Sequence, residues 1–513
     1  MIRKGKKLYA ILGVITLIIS IVSLTVIYLM DIPMYNNQIV HFQDENEDEL
    51  IGTYIKGYRS AGIVILEGFG SDQMAMKPLA SDFSSQGFHI FTFDFSGHGV
   101  SPGTLSFDNA ATDRLAKQVI EAKEIFKSIS GLLDSQIILL GHSMGARVAL
   151  QSATFDLNNV SGLVLIGVQV NLEVSVQAGF FTGVSDINLE WVKNLSQSNP
   201  ATDIAIISGT FDDILPPSSA NLLFEKLEGD SSNYTRNLVI FDFLTHNYEI
   251  FNPAVISYSV NWALKDLGID PNPTYISINS IIRKTMWYIG IISIFMFLSL
   301  SNKYIKEKRA NKKIEGIKID QDISIENPKK YFISKGLFWL ATIPVTLGII
   351  SLLFLIPIGV PVFSLAYVGL IGGYGILMLI LYHFDKVPGV KGKLKLKPSI
   401  KKIQFKKGDF LALGFIVFFI FFGINFANTG IFYVFALNTR INWLIILTLF
   451  IVPGFYLNQI ESRFLKFAHP DKSIYQIILT IISFVPFIVI TIFFLILGSL
   501  SGMIGSIHGL IIL

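Results

Sequence analysis

Short apolar runs and helical patterns alternate over residues 35–270. Eight apolar runs have strand length and are separated by turn residues: 39–42, 50–55, 63–66, 89–94, 137–140, 162–166, 204–207 and 238–241. Between the fourth and fifth runs, apolar residues recur at helical spacing from Asn109 to Ile129. Strands that alternate with helices predict a mostly parallel sheet covered on both faces. Such a sheet binds its ligands at the carboxyl ends of its strands.

Seven longer apolar segments have the length needed to cross a bilayer. The first, residues 8–30, follows a basic N-terminal segment, residues 1–7. It exceeds the apolar core of a cleaved signal peptide and no small-residue cleavage motif follows, so a retained signal anchor is predicted instead. The predicted region 285–498 supplies six further spans: 285–301, 332–355, 359–382, 410–434, 441–458 and 474–498. The apolar tail, residues 499–513, is too short to span and stays unassigned.

The lysine-rich segments between the spans predict their orientation. Basic loops follow the second, fourth and sixth spans, at residues 303–313, 391–407 and 463–472. With seven spans, all three loops fall on the side of the basic N-terminus, which is cytoplasmic by the positive-inside rule. Residues 35–270 are therefore predicted to lie outside the cytoplasm. Arg283 and Lys284 fall on that outer side, where their side chains are expected to extend outward from the span.

Composition agrees with a membrane region and narrows the chemistry. Hydrophobic residues make up 51% of the 513 residues and charged residues 15%, whereas about a quarter of a soluble protein is charged. The net charge of +3 gives no reason to expect a nucleic-acid partner. The chain has no cysteine, which excludes disulfides and cysteine catalysis. The expected partner is the lipid bilayer. No cofactor or metal is predicted, and the oligomeric state stays open.

A Gly-x-Ser-x-Gly motif occupies residues 141–145, between the fifth strand-like run and a helical pattern. A motif in this position predicts a nucleophile elbow, a tight turn that exposes its serine. Gly141 and Gly145 avoid a clash of β-carbons in such a turn. Ser143 is therefore a candidate covalent nucleophile. Because the pentapeptide alone is a weak pattern, the assignment depends on its context.

A serine nucleophile needs a base that takes its proton and a carboxylate that orients the base. Asp212 follows the run 204–207 and is the candidate acid, favoured over its neighbour Asp213. His246 follows the last strand-like run and is the candidate base. Both residues are expected at carboxyl ends of strands, as Ser143 is.

The segment Glu67-Gly-Phe-Gly70 follows the third run, where an oxyanion loop belongs. The backbone N–H groups of Phe69 and Met144 are the expected donors, with Gly68 in a supporting position. Glu67 has two open interpretations, either a charge beside the nucleophile or a side chain that shapes the loop through backbone amides.

Two further charged residues have predicted supporting roles near these motifs. His98 is expected to fix its own loop rather than act as a base. Arg147, four residues beyond Ser143 on the predicted helix, is expected to pair with a surface carboxylate.

Residues 38–268 resemble the α/β-hydrolase superfamily, and most closely its monoacylglycerol-lipase and serine-aminopeptidase-like branch. The matching motifs are Gly-His-Ser-Met-Gly, Asp-x-x-Gly-His-Gly-x-Ser at 94–101, Gly-x-x-Asp ahead of two prolines, and the late histidine. The resemblance implies an α/β-hydrolase fold with an eight-stranded, mostly parallel sheet. It also implies Ser143, Asp212 and His246 as the catalytic triad. Many members carry histidine where this chain has Glu67, although dienelactone-hydrolase-like relatives have glutamate there.

The leading functional hypothesis is a membrane-anchored serine hydrolase that cleaves a small-molecule acyl ester, such as a lipid ester. Acyl transfer to a lipid or envelope acceptor and cleavage of a peptide stay open, because the same triad serves them. A non-enzymatic binding or sensing domain on a transporter or signalling protein is the third hypothesis. Residues 169–201 would form an apolar cap over the site. In the spans, the candidates for an ion path are Asn425, Asn428 and Arg440.

Overall fold

The computed structural model describes most of the first three quarters of the chain. The described residues are 2–35, 37–69, 71–103, 109–156, 160–168, 202–270, 273–310, 323–354, 362–392 and, with short gaps, 454–483. The chain divides into two compact units, and among the described residues the boundary falls after Tyr304. The predicted cap, 169–201, lies outside the described residues.

An eight-stranded sheet forms the centre of the described part of the first unit. Its strands are β1 Asn37–Gln43, β2 Glu49–Ile55, β3 Gly62–Leu66, β4 His89–Asp94, β5 Ile137–His142, β6 Gly162–Ile166, β7 Asp203–Gly209 and β8 Arg236–Phe241. Their order is β1-β2-β4-β3-β5-β6-β7-β8. The pairs β1–β2 and β2–β4 are antiparallel, and the other pairs are parallel. All eight predicted strands and the mostly parallel sheet are confirmed.

Helices cover both faces of this sheet. The helices described in the first unit are α1 Ile2–Tyr35, α2 Lys77–Ser85, α3 Asn109–Ser130, α4 Met144–Phe155, α5 Pro217–Lys226, α6 Pro253–Asp266 and α7 Ile278–Ala310. One core lies between the sheet and α3, α4 and α5, and the other lies between the sheet and α2 and α6. Strand β3 is buried along its whole length because both faces are covered. This is the α/β-hydrolase fold that the sequence predicts.

The register of the parallel strands brings four loops to one edge of the sheet. Leu66 at the end of β3 is paired with Gly141 of β5, and Gly209 at the end of β7 is paired with Phe241 at the end of β8. The loops that follow β3, β5, β7 and β8 therefore leave the sheet on the same side, which we call the carboxyl edge. Every predicted triad residue follows one of these strands.

Helices α1 and α7 pack against each other in opposite directions. Ile27 of α1 shares a buried cluster with Trp287 of α7. Nearer the other end of the pair, a β-carbon on Gly13 would lie 4.0 Å from the Leu300 Cβ. The basic start of α1 and the basic end of α7 therefore lie at the same end of the pair.

Two of the seven predicted spans coincide with described helical segments that are long and apolar enough to cross a membrane. These segments are Leu8–Met30 and Ile278–Ser301, the second beginning earlier than the predicted residue 285. A signal sequence near the N-terminus, or a core helix of a soluble protein, has the same length and composition. Membrane crossing by seven spans therefore stays a prediction.

Part of the second unit is described and is helical, with α8 Pro328–Phe354 and α9 Val362–His383. These helices coincide with the third and fourth predicted spans. The described part of the last predicted span is the short apolar helix Ile474–Ser483. The spans predicted at 410–434 and 441–458, and the tail 499–513, lie outside the described residues. A two-residue ribbon joins Ser324–Ile325 to Val390–Lys391.

Candidate active site

Ser143 lies in the turn between β5 and α4 with a strained backbone. Its φ is 56° and its ψ is −117°, a conformation that a residue with a side chain rarely adopts. A β-carbon on Gly141 would lie 2.3 Å from the carbonyl carbon of Gly145. A β-carbon on Gly145 would lie 2.4 Å from the backbone carbonyl oxygen of Glu67. Both positions therefore require glycine, as the elbow motif predicts.

The structure brings Ser143, His246 and Asp212 into one hydrogen-bonded chain. His246 Nε2 lies 2.9 Å from Ser143 Oγ, and His246 Nδ1 lies 2.8 Å from Asp212 Oδ2. The other Asp212 oxygen, Oδ1, accepts hydrogen bonds from the backbone N–H groups of Ile214 at 3.0 Å and Leu215 at 2.7 Å. Asp212 is 2% exposed and His246 is 4% exposed. This geometry fits a nucleophile, a base and an orienting carboxylate.

The predicted oxyanion loop lies directly beside Ser143. A β-carbon on Gly68 would be 3.2 Å from the Ser143 Cβ, so the loop backbone approaches the serine closely. Phe69 follows at the tip of the loop. Met144 is the first residue of α4, where backbone N–H groups have no partner within the helix and the helix dipole favours negative charge. Met144 thus directly follows the serine, and Phe69 directly follows the glycine that approaches it.

Glu67 ties the oxyanion loop to the loop that follows β4. Its Oε1 accepts a hydrogen bond from the backbone N–H of Phe95 at 3.0 Å and lies 3.0 Å from His98 Nδ1. Burial raises the pKa of Glu67 to about 7, although the hydrogen bond and charge of His98 oppose the shift. The contacts agree with the interpretation in which Glu67 shapes the loop through a backbone amide. They also give the His98 side chain a partner in the oxyanion loop, Glu67.

Two buried residues beside the triad were missed by the sequence analysis. His142 Nε2 lies 3.1 Å from the carbonyl oxygen of His246, and the two rings are 4.7 Å apart. Glu249 Oε2 lies 3.8 Å from His246 Nδ1 and 3.6 Å from His142 Nε2. Burial and then the charge of Asp212 raise the pKa of Glu249 well above its usual value. His142 stands within the elbow motif, and Glu249 follows His246 by three residues, which is the signal that could have identified them.

The same three side chains, His142, His246 and Glu249, have the composition of a metal site. One ligand atom from each lies within 4.8 Å of the others. Both ring nitrogens of His246 already have partners, Ser143 and Asp212, so a cation bound here would displace a triad contact. The arrangement therefore suits proton transfer better than metal coordination.

The expectation for Arg147 is wrong. The side chain is 1% exposed and therefore does not pair at the surface. Burial lowers its pKa to about 10. Arg147 follows Ser143 on the face of α4 that packs inward, which the predicted helix did not distinguish from the solvent face.

A buried ion pair in the second unit was also missed. Lys335 Nζ lies 2.5 Å from Glu461 Oε2, and the two side chains are 1% and 0% exposed. The Tyr382 hydroxyl lies 3.3 Å from Glu461 Oε1, and the Lys335 ammonium lies 5.3 Å from the centre of the Tyr374 ring. The predicted ion-path candidates, Asn425, Asn428 and Arg440, lie outside the described residues.

Comparison with known proteins identifies a matching family model and relatives of this chain. Residues 58–208 match the family model described as serine aminopeptidase, S33. Protein phosphatase methylesterase 1 of Candida albicans is 30% identical over 135 residues, which is 26% of this chain and 36% of that protein. A monoglyceride lipase homologue of Monkeypox virus is 29% identical over 117 residues, which is 23% of this chain and 41% of that protein. The chain thus spans about two fifths of the length of these relatives.

Solved structures give further matches to part of this chain. An esterase of Pyrococcus furiosus is 20% identical, with a TM-score of 0.37, and the match covers 45% of this chain and 92% of that chain. A monoacylglycerol lipase of Paleococcus ferrophilus is 17% identical, with a TM-score of 0.33, and the match covers 42% of this chain and 99% of that chain.

Proposed function

We propose that this chain, whose first unit is an α/β-hydrolase of the serine-hydrolase type, is a membrane-anchored esterase. It cleaves a carboxylic ester through an acyl-enzyme intermediate. The observation that carries the proposal is the hydrogen-bonded chain from Asp212 through His246 to Ser143, at the carboxyl edge of the sheet. Fold alone would not carry it, because α/β folds serve many unrelated functions.

The triad geometry supports a two-step reaction. Ser143 Oγ attacks the ester carbonyl carbon while His246 Nε2 accepts the hydroxyl proton. The ester C–O bond then breaks, and His246 returns the proton to the departing alcohol. Water attacks the acyl-enzyme with His246 again as base, the carboxylic acid departs, and Ser143 regains its proton. Asp212 stays ionised, orients His246 and stabilises its protonated form.

The backbone N–H groups of Phe69 and Met144 stabilise the negative oxygen of each tetrahedral intermediate. One such donor contributes about 3 kcal/mol to catalysis in serine hydrolases. The close approach of Gly68 to Ser143 and the position of Met144 at the start of α4 support this assignment.

The names of two relatives support an ester rather than an amide as the substrate. The Candida albicans relative is named a methylesterase and the Monkeypox virus relative a monoglyceride lipase homologue. Both names describe cleavage of a carboxylic ester. An ester of a lipid also agrees with the apolar helices of this chain.

The membrane anchor is proposed to be the helix pair α1 and α7. Both helices contain segments of spanning length. Their antiparallel packing brings the basic residues at the start of α1 and at the end of α7 to the same end of the pair. With those basic ends in the cytoplasm, the hydrolase domain lies outside it. The further spans predicted after residue 304 complete a multi-pass protein with the bilayer as its partner.

Fluorophosphonate labelling of the full-length protein in detergent tests the nucleophile. We expect the wild-type chain to be labelled and Ser143→Ala to lose labelling, because the variant removes only the attacking hydroxyl. Ser60→Ala is the matched control, since Ser60 is exposed in the turn before β3, at the opposite edge of the sheet. An unchanged melting temperature would show that the Ser143→Ala variant is folded.

Undiminished labelling of folded Ser143→Ala would contradict the assignment. The products of a panel of acyl esters then define the reaction. Release of free acid in water supports hydrolysis, whereas a new ester formed with an added alcohol, and no free acid, would identify an acyltransferase.

A further inference from the structure

Exposed phenylalanines stand on three of the loops that build the active site. Phe69 is the tip of the oxyanion loop and is 42% exposed, and Phe211, next to Asp212, is also 42% exposed. Phe243 precedes His246 by three residues and is 80% exposed. The rings of Phe211 and Phe243 meet edge to face, with their centres 5.4 Å apart. We call these three residues the phenylalanine rim.

The backbone of Phe243 is held in an unfavourable conformation. Its φ is 57°, a value that is an outlier for a bulky side chain. Its N–H donates a hydrogen bond to Thr210 Oγ1 at 2.8 Å, which fixes this turn. Burial of a phenylalanine side chain stabilises a fold, and a ring that is 80% exposed contributes little of this stabilisation. The fold thus presents the ring to the surroundings of the active site.

The start of helix α7 is fixed on α2 by a buried carboxylate. Asp82 of α2 accepts hydrogen bonds from Tyr275 at 2.5 Å, Ser277 at 2.7 Å and Ser280 at 3.1 Å. Helix α2 follows β3 and so begins at the carboxyl edge, and Asp82 lies in its second half. Helix α7 therefore starts some distance behind the carboxyl edge.

From this start, helix α7 runs toward the carboxyl edge. The Tyr275 hydroxyl lies 3.4 Å from Ser85 Oγ at the end of α2, and Arg283 donates to Ser81 Oγ at 3.3 Å, so α7 runs antiparallel to α2. Lys77, the first residue of α2 at the carboxyl edge, lies five residues before Asp82, about 7.5 Å along a helix. Ser280 and Tyr288 are eight residues apart, about 12 Å along a helix. Helix α7 thus reaches the level of the active site at Tyr288.

Beyond Tyr288, α7 exposes apolar side chains. Ile289, Ile292 and Met296 are 38%, 58% and 51% exposed. The antiparallel helix α1 reaches the same level, because its Ile27 packs with Trp287. Tryptophan and tyrosine at the end of an apolar helix are typical of the membrane interface. Ile278 and Ile281, before Tyr288, are also 58% and 46% exposed, so Trp287 and Tyr288 rather than apolar exposure mark the start of the lipid-facing part, level with the carboxyl edge.

We propose that the carboxyl edge faces the bilayer, that the phenylalanine rim inserts into the adjacent leaflet, and that the substrate is an ester lipid drawn directly from that leaflet. The proposal rests on the proposed function, because it assumes the esterase activity and the membrane anchor. The partner that the rim contacts is lipid, because the rim lies at the same level as exposed apolar side chains of α1 and α7. Burial of the aromatic rings in the membrane interface also strengthens membrane binding, because it removes apolar area from water.

Turnover in reconstituted vesicles tests the role of the rim. The double variant Phe211→Ser/Phe243→Ser is compared with Phe211→Leu/Phe243→Leu, and Phe69 is left unchanged because its backbone serves the oxyanion. We expect the serine variant to hydrolyse a long-chain glyceride in the same vesicle at least about tenfold more slowly, because it loses apolar area at the interface. Its rate on a water-soluble short-chain ester stays within about twofold, and the leucine variant keeps both rates.

A spin label locates the rim directly. The chain has no cysteine, so Phe243→Cys carries one label at a defined position. Tyr58→Cys is the matched control, because Tyr58 is 77% exposed and lies before β3, at the opposite edge of the sheet. We expect the label at position 243 to be accessible to oxygen and shielded from a water-soluble nickel chelate, and the label at position 58 to show the reverse.

The outcomes separate the two proposals. If the wild-type chain hydrolyses the soluble ester but the label at position 243 is accessible to nickel, the rim proposal is wrong and the esterase proposal stands. Shielding of that label from both oxygen and nickel would indicate a protein partner and would also overturn the rim proposal. No hydrolysis of any ester by the wild-type chain would overturn the proposed function itself.

Discussion

Glu67 carries a proton that the unfolded chain would release. Burial raises the pKa of its carboxyl group from the usual 4.5 to about 7. Between these two values the folded state binds one more proton than the unfolded state, so the free energy of unfolding falls as pH rises. The loss is complete above about pH 7 and is on the order of 3 kcal/mol.

The free energy of unfolding of the variant Glu67→Gln should not show this decrease with rising pH. Glutamine keeps an oxygen that can accept the Phe95 N–H hydrogen bond and has no charge to bury. We expect the melting temperature of the variant minus that of wild type, measured in detergent, to increase from pH 5 to pH 8. Glu225→Gln, on the exposed side of α5, is the control and should show no such trend. An equal pH dependence of Glu67→Gln and wild type would contradict the explanation.

The sequence predicted the positions of the three triad residues more completely than the positions of the charged residues around them. Ser143, Asp212 and His246 each follow a recognisable strand, so the topology alone brings them to one edge. Glu249 and the buried Arg147 do not directly follow a strand, and a charged residue in a short segment looks solvent-exposed until the packing is known. Their positions depend on which helix face meets the core.

At the level of elements, Asp82 is the residue that joins the hydrolase domain to α7. It is 1% exposed, and three hydroxyl groups donate to it. Arg283 of α7 is also buried and donates to Ser81 at 3.3 Å, so the expectation that it extends outward is wrong. Removal of one partner from such a buried polar cluster leaves several donors unsatisfied.

The variant Asp82→Ala should weaken this junction. We expect a loss of about 3 kcal/mol in the free energy of unfolding, because three buried hydroxyl donors lose their acceptor and the buried Arg283 loses a neighbouring negative charge. Asp82→Asn keeps one acceptor oxygen and should lose clearly less. In the full-length chain, thermal melts measure the loss of stability, and the rate of limited proteolysis in the segment that follows residue 270 measures the weakening of the junction. Equal melting temperatures for Asp82→Ala and wild type would show that the cluster does not hold the junction.

Elements with one clear periodicity were predicted nearly to their ends. The buried strands read as unbroken apolar runs, and α3 as a helix from Asn109 onward, because burial on one or both faces dictates these patterns. The start of α7 was not predicted, because Arg283 and Lys284 interrupt its apolar pattern while tertiary contacts with α2 stabilise the helix there. Likewise, the sequence could not show that Lys335 meets Glu461, 126 residues later in the chain.

At the scale of the whole molecule, three independent features agree on one orientation. The basic loops and the basic N-terminus fall on a common side if the chain crosses the bilayer seven times. The packing of α1 against α7 brings their basic ends together. The active-site edge lies level with Trp287 and Tyr288 of α7, residue types that are typical of the membrane interface. Together these features are the grounds for the proposal that Ser143 lies outside the cytoplasm and next to the membrane.

A charged fluorophosphonate probe that does not cross membranes tests this orientation in intact cells. We expect it to label the wild-type chain before lysis as strongly as after lysis, because Ser143 is proposed to open on the outer side. Ser143→Ala gives the background, and a cytoplasmic serine hydrolase that is labelled only after lysis shows that the cells are sealed. Labelling that requires lysis would place the active site in the cytoplasm. It would also require the lysine-rich loops to lie outside, against the charge bias on which the seven-span topology depends.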